Sequence, residues 1–217
     1  MKVKKLAPAM GAEITGIDLG SSDFSDNLIG EIRAVWLEHN MLVLRGQNLT
    51  PQQQLRLAEA FGDPDIYPFL DGVDGIPEIT AVLKREHETV NFGGVWHTDT
   101  SYQKLPPMAT MLQAIELPPI GGDTLFANQE MAYERLSDGL KETLGGLRVI
   151  CAAGKAKVAA TRTARIEESG KSVDIDELVA SHPAIRTHPE TGRRSLYVSP
   201  GHAVRFDGWT EEELSLI

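Results

Sequence analysis

The sequence has 217 residues and a single cysteine, Cys151, so no disulfide can form within the chain. That cysteine ends the apolar run Val149-Ile150-Cys151 and is expected to be a buried thiol of a reducing compartment. Basic residues are scarce: 21 Lys and Arg face 31 Asp and Glu, giving a formal net charge of −10 and a pI of about 5.1. An acidic surface repels both phosphate backbones and anionic lipid, which argues against nucleic acid or membrane as a partner. Lys2, Lys4 and Lys5, and the pair Arg193-Arg194, do not make a basic face. Long hydrophobic runs are missing too, and no segment reaches the length of a membrane span. Leu6-Ala7-Pro8-Ala9-Met10, broken by proline, is too short for a secretory segment, so a cytoplasmic protein is expected.

Several catalytic signatures are absent as well. Gly11-x4-Gly16 runs into Ile17-Asp18, not Lys-Ser/Thr, so it is no phosphate loop. There is no G-x-G-x-x-G, no G-x-S-x-G and no C-x-x-C, and His87-Glu88-Thr89-Val90 ends on Asn91 where a zincin needs its second His. No internal repeat or low-complexity tract is present.

What is there suits one globular domain over 1–217: 41% hydrophobic residues, 20 glycines and a length that buries a core unaided. Strands are expected at 12–19, 41–44, 79–83, 109–115, 124–127 and 147–153, with a hairpin of 184–188 and 195–199. One helix follows Ser25 and stops at Asn40. A second opens on the Thr50-Pro51-Gln52-Gln53 capping box, with Phe61 inside and Gly62 as terminator. Helices are also expected at 130–136 and 139–144. The polar stretch 154–181 reads as a lid or binding loop. Thr210-Glu211-Glu212-Glu213-Leu214 opens a further helix whose apolar stripe has only begun at Ile217, so the natural chain is expected to run on.

The chemistry-bearing pattern is Trp96-His97-Thr98-Asp99. Residues i and i+2 of an extended segment point to one face, so His97 and Asp99 can occupy adjacent corners of one metal ion. The triplet alone is common by chance, and a structural role stays open. Gly93-Gly94 before it allow close backbone approach, and Pro106-Pro107 follow. Thr124, after Gly121-Gly122-Asp123, is either a plain strand hydroxyl or a ligand contact. His202 follows Pro200-Gly201, where a loop can aim it at a pocket. His39 reads as a helix C-terminal partner, His87 as a loop residue, and His182 and His188 as solvent-facing or locally bonded.

In order along the chain, these pieces resemble the taurine dioxygenase family of Fe(II)- and 2-oxoglutarate-dependent oxygenases. The resemblance includes Gly11-Ala12-Glu13-Ile14-Thr15-Gly16-Ile17-Asp18-Leu19, Leu44-Arg45, the Thr50 helix, Phe61-Gly62, the His97-x-Asp99 triplet, Pro106-Pro107, Gly121-Gly122-Asp123-Thr124 and Arg186-Thr187-His188-Pro189 with Gly192. It implies a double-stranded β-helix (jelly-roll) core flanked by helices. It makes His97 and Asp99 the first two iron ligands and Thr124 a partner of the far carboxylate of 2-oxoglutarate. The third ligand, a His, and an Arg for that carboxylate fall beyond Ile217. The cofactors implied are Fe(II) with 2-oxoglutarate and O2 as cosubstrates, and the activity is hydroxylation of a small organic molecule with release of succinate and CO2. Taurine dioxygenase proper has a sulfonate-binding His where this chain has Tyr67, and an amide residue where it has Gly93. Taurine is therefore doubtful, and a sulfonate, sulfate-like or aryloxy anion is expected, with Tyr67, Tyr102 and His202 as candidate substrate residues. The partners expected are a small-molecule substrate and, as an open option, a second copy of the chain. Two rivals remain: a Zn(II) hydrolase using His97 and Asp99, and a non-catalytic small-molecule-binding jelly roll.

Overall fold

The computed structural model describes residues 1–21, 24–87, 93–155, 166 and 170–214. They form two compact units. The first comprises Met1–Ile66, Val73–Ile79 and Met111–Asn128, and the second Tyr67–Gly72, Thr80–Thr110 and Gln129–Ile217.

In the first unit, β1 (Lys2–Lys5) lies antiparallel to β2 (Ala12–Thr15), and β2 lies parallel to β3 (Leu42–Leu44). A parallel pair needs a crossover, and α1 (Asp26–His39) supplies it. The Ser25 hydroxyl accepts from Leu28 N–H at 3.2 Å, and Asn40, at φ 66, turns the chain out at the far end. Ile29 and Ile32 on the inner face of α1 pack with Ile14, Leu19 and Leu57 into one core. Each such side chain, fully buried, contributes roughly 1.5–3 kcal/mol. The capping box of α2 (Pro51–Glu59) is formed as expected, Thr50 and Gln53 bonding each other's backbone N–H. The helix ends earlier than expected, however. Phe61 lies past the cap because its N–H and that of Gly62 both turn onto Ala58 C=O, tightening the last turn.

Three strand expectations need correction. The strand expected at 79–83 is β5 (Ile76–Thr80), paired with β4 (Gly72–Val73). Asp74 and Gly75 both adopt positive φ, 53 and 78, and this two-residue turn sets the hairpin three residues earlier. The segments 109–115 and 124–127 are irregular, and Leu112, Ile115, Leu125 and Phe126 are exposed. Their apolar, strand-forming composition has no ladder partner among the described residues, and backbone without a partner strand stays with water. The turn at Gly121-Gly122 is as expected, with φ 82 and 79.

In the second unit, α3 (Gln129–Glu134) and α4 (Asp138–Gly145) precede β6 (Arg148–Ala152). β6 is the centre of an antiparallel sheet between β7 (Val179–Pro183) and β10 (Ala203–Phe206). Alternation buries Val149 and Cys151 of β6 in a core with Leu144, Ala184, Ala203 and Phe206. Burial pushes the Cys151 thiol up, as expected for an inert interior cysteine. β8 (Ile185–Thr187) and β9 (Arg194–Leu196) make the expected hairpin, with His188 Nδ1 accepting from Glu190 and Thr191 N–H in its turn. α5 (Glu211–Leu214) opens on the Thr210–Glu213 capping box. Of the loop expected at 154–181, the last three residues belong to β7, which pairs with β6. Residues 156–165 and 167–169 lie outside the described residues, as do 88–92 of the preceding polar loop. Among the described residues, no helix is long and apolar enough to cross a membrane.

Candidate metal centre

The segment carrying His97 and Asp99 is irregular, not a strand, yet it brings the two side chains together. His97 Nε2 stands 3.0 Å from Asp99 Oδ1, and both side chains reach solvent. His97 Nδ1 lies 2.6 Å from Val95 C=O. A carbonyl oxygen can only accept, so Nδ1 carries the hydrogen and Nε2 is the atom turned to the carboxylate. The hydrogen bond with His97, reinforced by the Thr110 hydroxyl, holds the Asp99 carboxyl below its ordinary range against the opposing effect of burial. An imidazole lone pair and an ionised carboxylate this close need a cation on the pair, either a proton or a metal ion. Two ligand atoms at about 2.0–2.2 Å from a first-row divalent ion, at right angles, stand roughly 3 Å apart. The pair therefore fits two adjacent corners of a metal site, with the ring orientation fixed from behind by Val95.

Thr110 Oγ1 donates to Asp99 Oδ2 at 2.6 Å. One carboxylate oxygen is thus occupied by protein while the other faces His97, which favours one-oxygen ligation. Gly93, at φ 74, sits beside the imidazole, and a Cβ there would stand 3.3 Å from His97 Cε1. Thr100 turns the chain immediately after Asp99 at φ 47, a left-handed conformation costly for a β-branched residue. His182 was expected to face solvent or bond locally. It is instead buried, with Nε2 at 2.8 Å from Ser101 C=O and 3.0 Å from Gln103 C=O, because β7 brings it under this segment. Neither Thr110 nor His182 carries a sequence signal for this role, since each acts across a fold contact.

The structure also gathers the candidate substrate residues. Ring contacts run from Tyr67 to Phe69 (5.2 Å), Phe69 to Tyr102 (5.9 Å), Tyr102 to His202 (5.2 Å) and His202 to His97 (6.0 Å). Tyr102 and His202 are each 1% exposed, whereas Tyr67 is partly exposed. Thr124 belongs to the first unit, where it is exposed in irregular chain. Among the described residues no group of three or more His, Cys, Asp or Glu side chains is placed to hold a metal.

The family described as taurine catabolism dioxygenase TauD, TfdA matches residues 2–215. The chain belongs to that family. It is 31% identical over 225 residues to an alkylsulfatase of Acinetobacter baylyi, covering 100% of this chain and 68% of that protein. It is 31% identical over 211 residues to an alpha-ketoglutarate-dependent sulfonate dioxygenase of Saccharomyces cerevisiae, covering 92% of this chain and 49% of that one. Among solved structures, a taurine dioxygenase from Burkholderia xenovorans superposes with a TM-score of 0.79 at 33% identity, over 99% of this chain and 69% of its own. The TauD, TfdA chain therefore has the jelly-roll fold class expected from its motifs, and it spans between about half and two thirds of the length of these relatives.

Proposed function

We propose that this TauD, TfdA protein is an Fe(II)- and 2-oxoglutarate-dependent dioxygenase that hydroxylates a small organic anion in the cytoplasm. The reading is supported above all by the 3.0 Å pairing of His97 Nε2 with Asp99 Oδ1, with Nδ1 committed to Val95. When bound there, iron supplies the oxidative chemistry that couples decarboxylation of 2-oxoglutarate to attack on a substrate C–H bond. The protein's share is geometric and electrostatic. His97 would offer its Nε2 and Asp99 its Oδ1 to the ion, while the Thr110 hydroxyl engages the second oxygen of Asp99. Thr124 holds the far carboxylate of 2-oxoglutarate, and a His and an Arg expected beyond Ile217 complete the site. Tyr67, Tyr102 and His202 bear on substrate choice. Similarity to an alkylsulfatase and a sulfonate dioxygenase supports a sulfate ester or sulfonate, and an aryloxy acid stays within the same class of anion. Tyr67 and Gly93 make taurine a poor substrate. Nothing in the family match favours the Zn(II) hydrolase or the non-catalytic binder.

The test uses protein translated from the whole native reading frame. Anaerobic addition of Fe(II) and 2-oxoglutarate is expected to raise a visible charge-transfer band, and air then yields succinate. His97→Ala is expected to abolish both. Wild-type iron affinity and turnover in His97→Ala would sink the proposal.

A further inference from the structure

His97 is bordered by the turn Ser199-Pro200-Gly201-His202, which closes through Ala203 N–H to Ser199 C=O at 3.0 Å and leads into β10. The turn is tied to the central sheet, since Ala152 N–H donates to His202 C=O at 3.0 Å. It is tied equally to the metal segment: Gly201 N–H donates to Trp96 C=O at 2.9 Å, and Thr98 N–H donates to Ser199 Oγ at 3.4 Å. The residues on both sides of His97 are thus bonded to one turn.

Gly201 is required here by proximity. A Cβ built on it would stand 2.5 Å from His97 Cβ, 3.1 Å from Trp96 O and 3.3 Å from His97 Cα. These atoms are fixed by the backbone, so no rotation of the His97 side chain relieves the collision. Its φ lies outside the left-handed region, which leaves close approach as the reason for glycine. His202 completes the contact, its buried ring edge-on to Tyr102 at 5.2 Å and tilted by 48° against His97 at 6.0 Å.

We infer that the Ser199–His202 turn is a positioning device for the metal ligand His97, with Gly201 setting the approach and His202 acting as an aromatic wall. The inference rests on the reading of His97 and Asp99 as metal ligands. A ligand bonded only through its own segment samples orientations in which Nε2 and Asp99 Oδ1 no longer face one ion. Clamping the peptides before and after His97 to a turn anchored on β6 removes that freedom before the ion arrives.

The probe is Mn(II), titrated into protein translated from the whole native reading frame and followed by the electron paramagnetic resonance signal of the free aqua ion, with circular dichroism melting alongside. Gly201→Ala is expected to raise the Mn(II) Kd at least tenfold and to alter the visible spectrum of bound Co(II). Ser199→Ala is expected to raise the Kd about threefold, as one long hydrogen bond is lost. His202→Phe keeps a ring and is expected to stay within twofold of wild type, whereas His202→Ala raises the Kd about fivefold. Should Gly201→Ala fail to fold, the His202→Phe and His202→Ala pair decides. A folded Gly201→Ala with wild-type Kd and Co(II) spectrum overturns the inference. So does a His202→Phe that loses Mn(II) as completely as His97→Ala, which would make His202 a ligand. Unchanged Mn(II) affinity in His97→Ala is a different outcome, because it removes the metal reading itself.

Discussion

Gly93-Gly94 precede Trp96-His97-Thr98-Asp99, and Gly121-Gly122 precede Asp123-Thr124, so two segments of this chain share a layout of paired glycines followed by polar side chains. In the first segment the polar side chains and the backbone around them are held. Val95 and Thr110 bond the side chains of His97 and Asp99, Ser199 and Gly201 bond the peptides on either side of His97, and His182 bonds two carbonyls just downstream. In the second, the glycines turn the chain at φ 82 and 79 as the sequence suggests, but Asp123 and Thr124 are exposed in irregular backbone. A glycine pair thus permits a conformation in both places. Among the described residues, the first segment forms hydrogen bonds with distant parts of its own unit, at Thr98 and Trp96 with the Ser199–Gly201 turn.

The sharpest way to break this contrast is to remove an acid from each segment. Asp99→Ala is expected to weaken Mn(II) binding by two orders of magnitude or more, because a ligand and its balancing charge leave together. Asp123→Ala is expected to leave the Kd unchanged in the same titration. Equal effects would show that the two segments do not differ as ligand sites. Next in size, Thr124→Ala in the product of the whole reading frame should leave metal affinity intact and raise the 2-oxoglutarate concentration needed for half-maximal succinate formation about tenfold. A hydrogen bond to a charged carboxylate contributes roughly 1.5–3 kcal/mol. Thr110→Val should raise the Mn(II) Kd about fivefold by freeing the outer oxygen of Asp99, and Thr110→Ser should restore it.

The smallest effect concerns acid. Burial, aided by Arg186 and Arg148, lowers the pKa of His182, opposed by its bonds to Ser101 and Gln103. A histidine kept neutral by the fold stabilises it fully above its unfolded pKa of about 6.5 and loses that contribution as pH falls towards the lower folded value. Thermal melting between pH 7 and 5 should therefore decline less steeply in His182→Gln than in wild type. An unchanged slope would mean that protonation of His182 does not contribute to the loss of stability in acid.

The elements read correctly from sequence are those whose signal is local. Ser25 and Asn40 bracket α1, and Thr50 and Gln53 open α2, because a cap is satisfied by atoms three or four residues away. β6 is legible for the same reason, as the apolar run Val149-Ile150-Cys151, while its alternate burial is set by the sheet. The strands expected at 109–115 and 124–127 failed because composition states only that a segment suits a sheet, while pairing needs another strand. β5 begins three residues before the expected strand because the Asp74-Gly75 turn, with both residues at positive φ, sets the hairpin there.

The site divides in the same way. Spacing alone determined that His97 and Asp99 can share a face, and the order of motifs determined the family. The bond of Nδ1 to Val95 C=O, two residues back, decided which nitrogen of His97 turns to Asp99, and tertiary structure decided that Thr110 takes the other oxygen and that position 201 must be glycine. Thr110 is 11 residues from Asp99, and Ser199 is 101 from Thr98. No periodicity or cap relates residues at such separations. Ser199 and Thr98 meet because β10 is paired to β6, and that pairing carries the Ser199–His202 turn onto the backbone around His97.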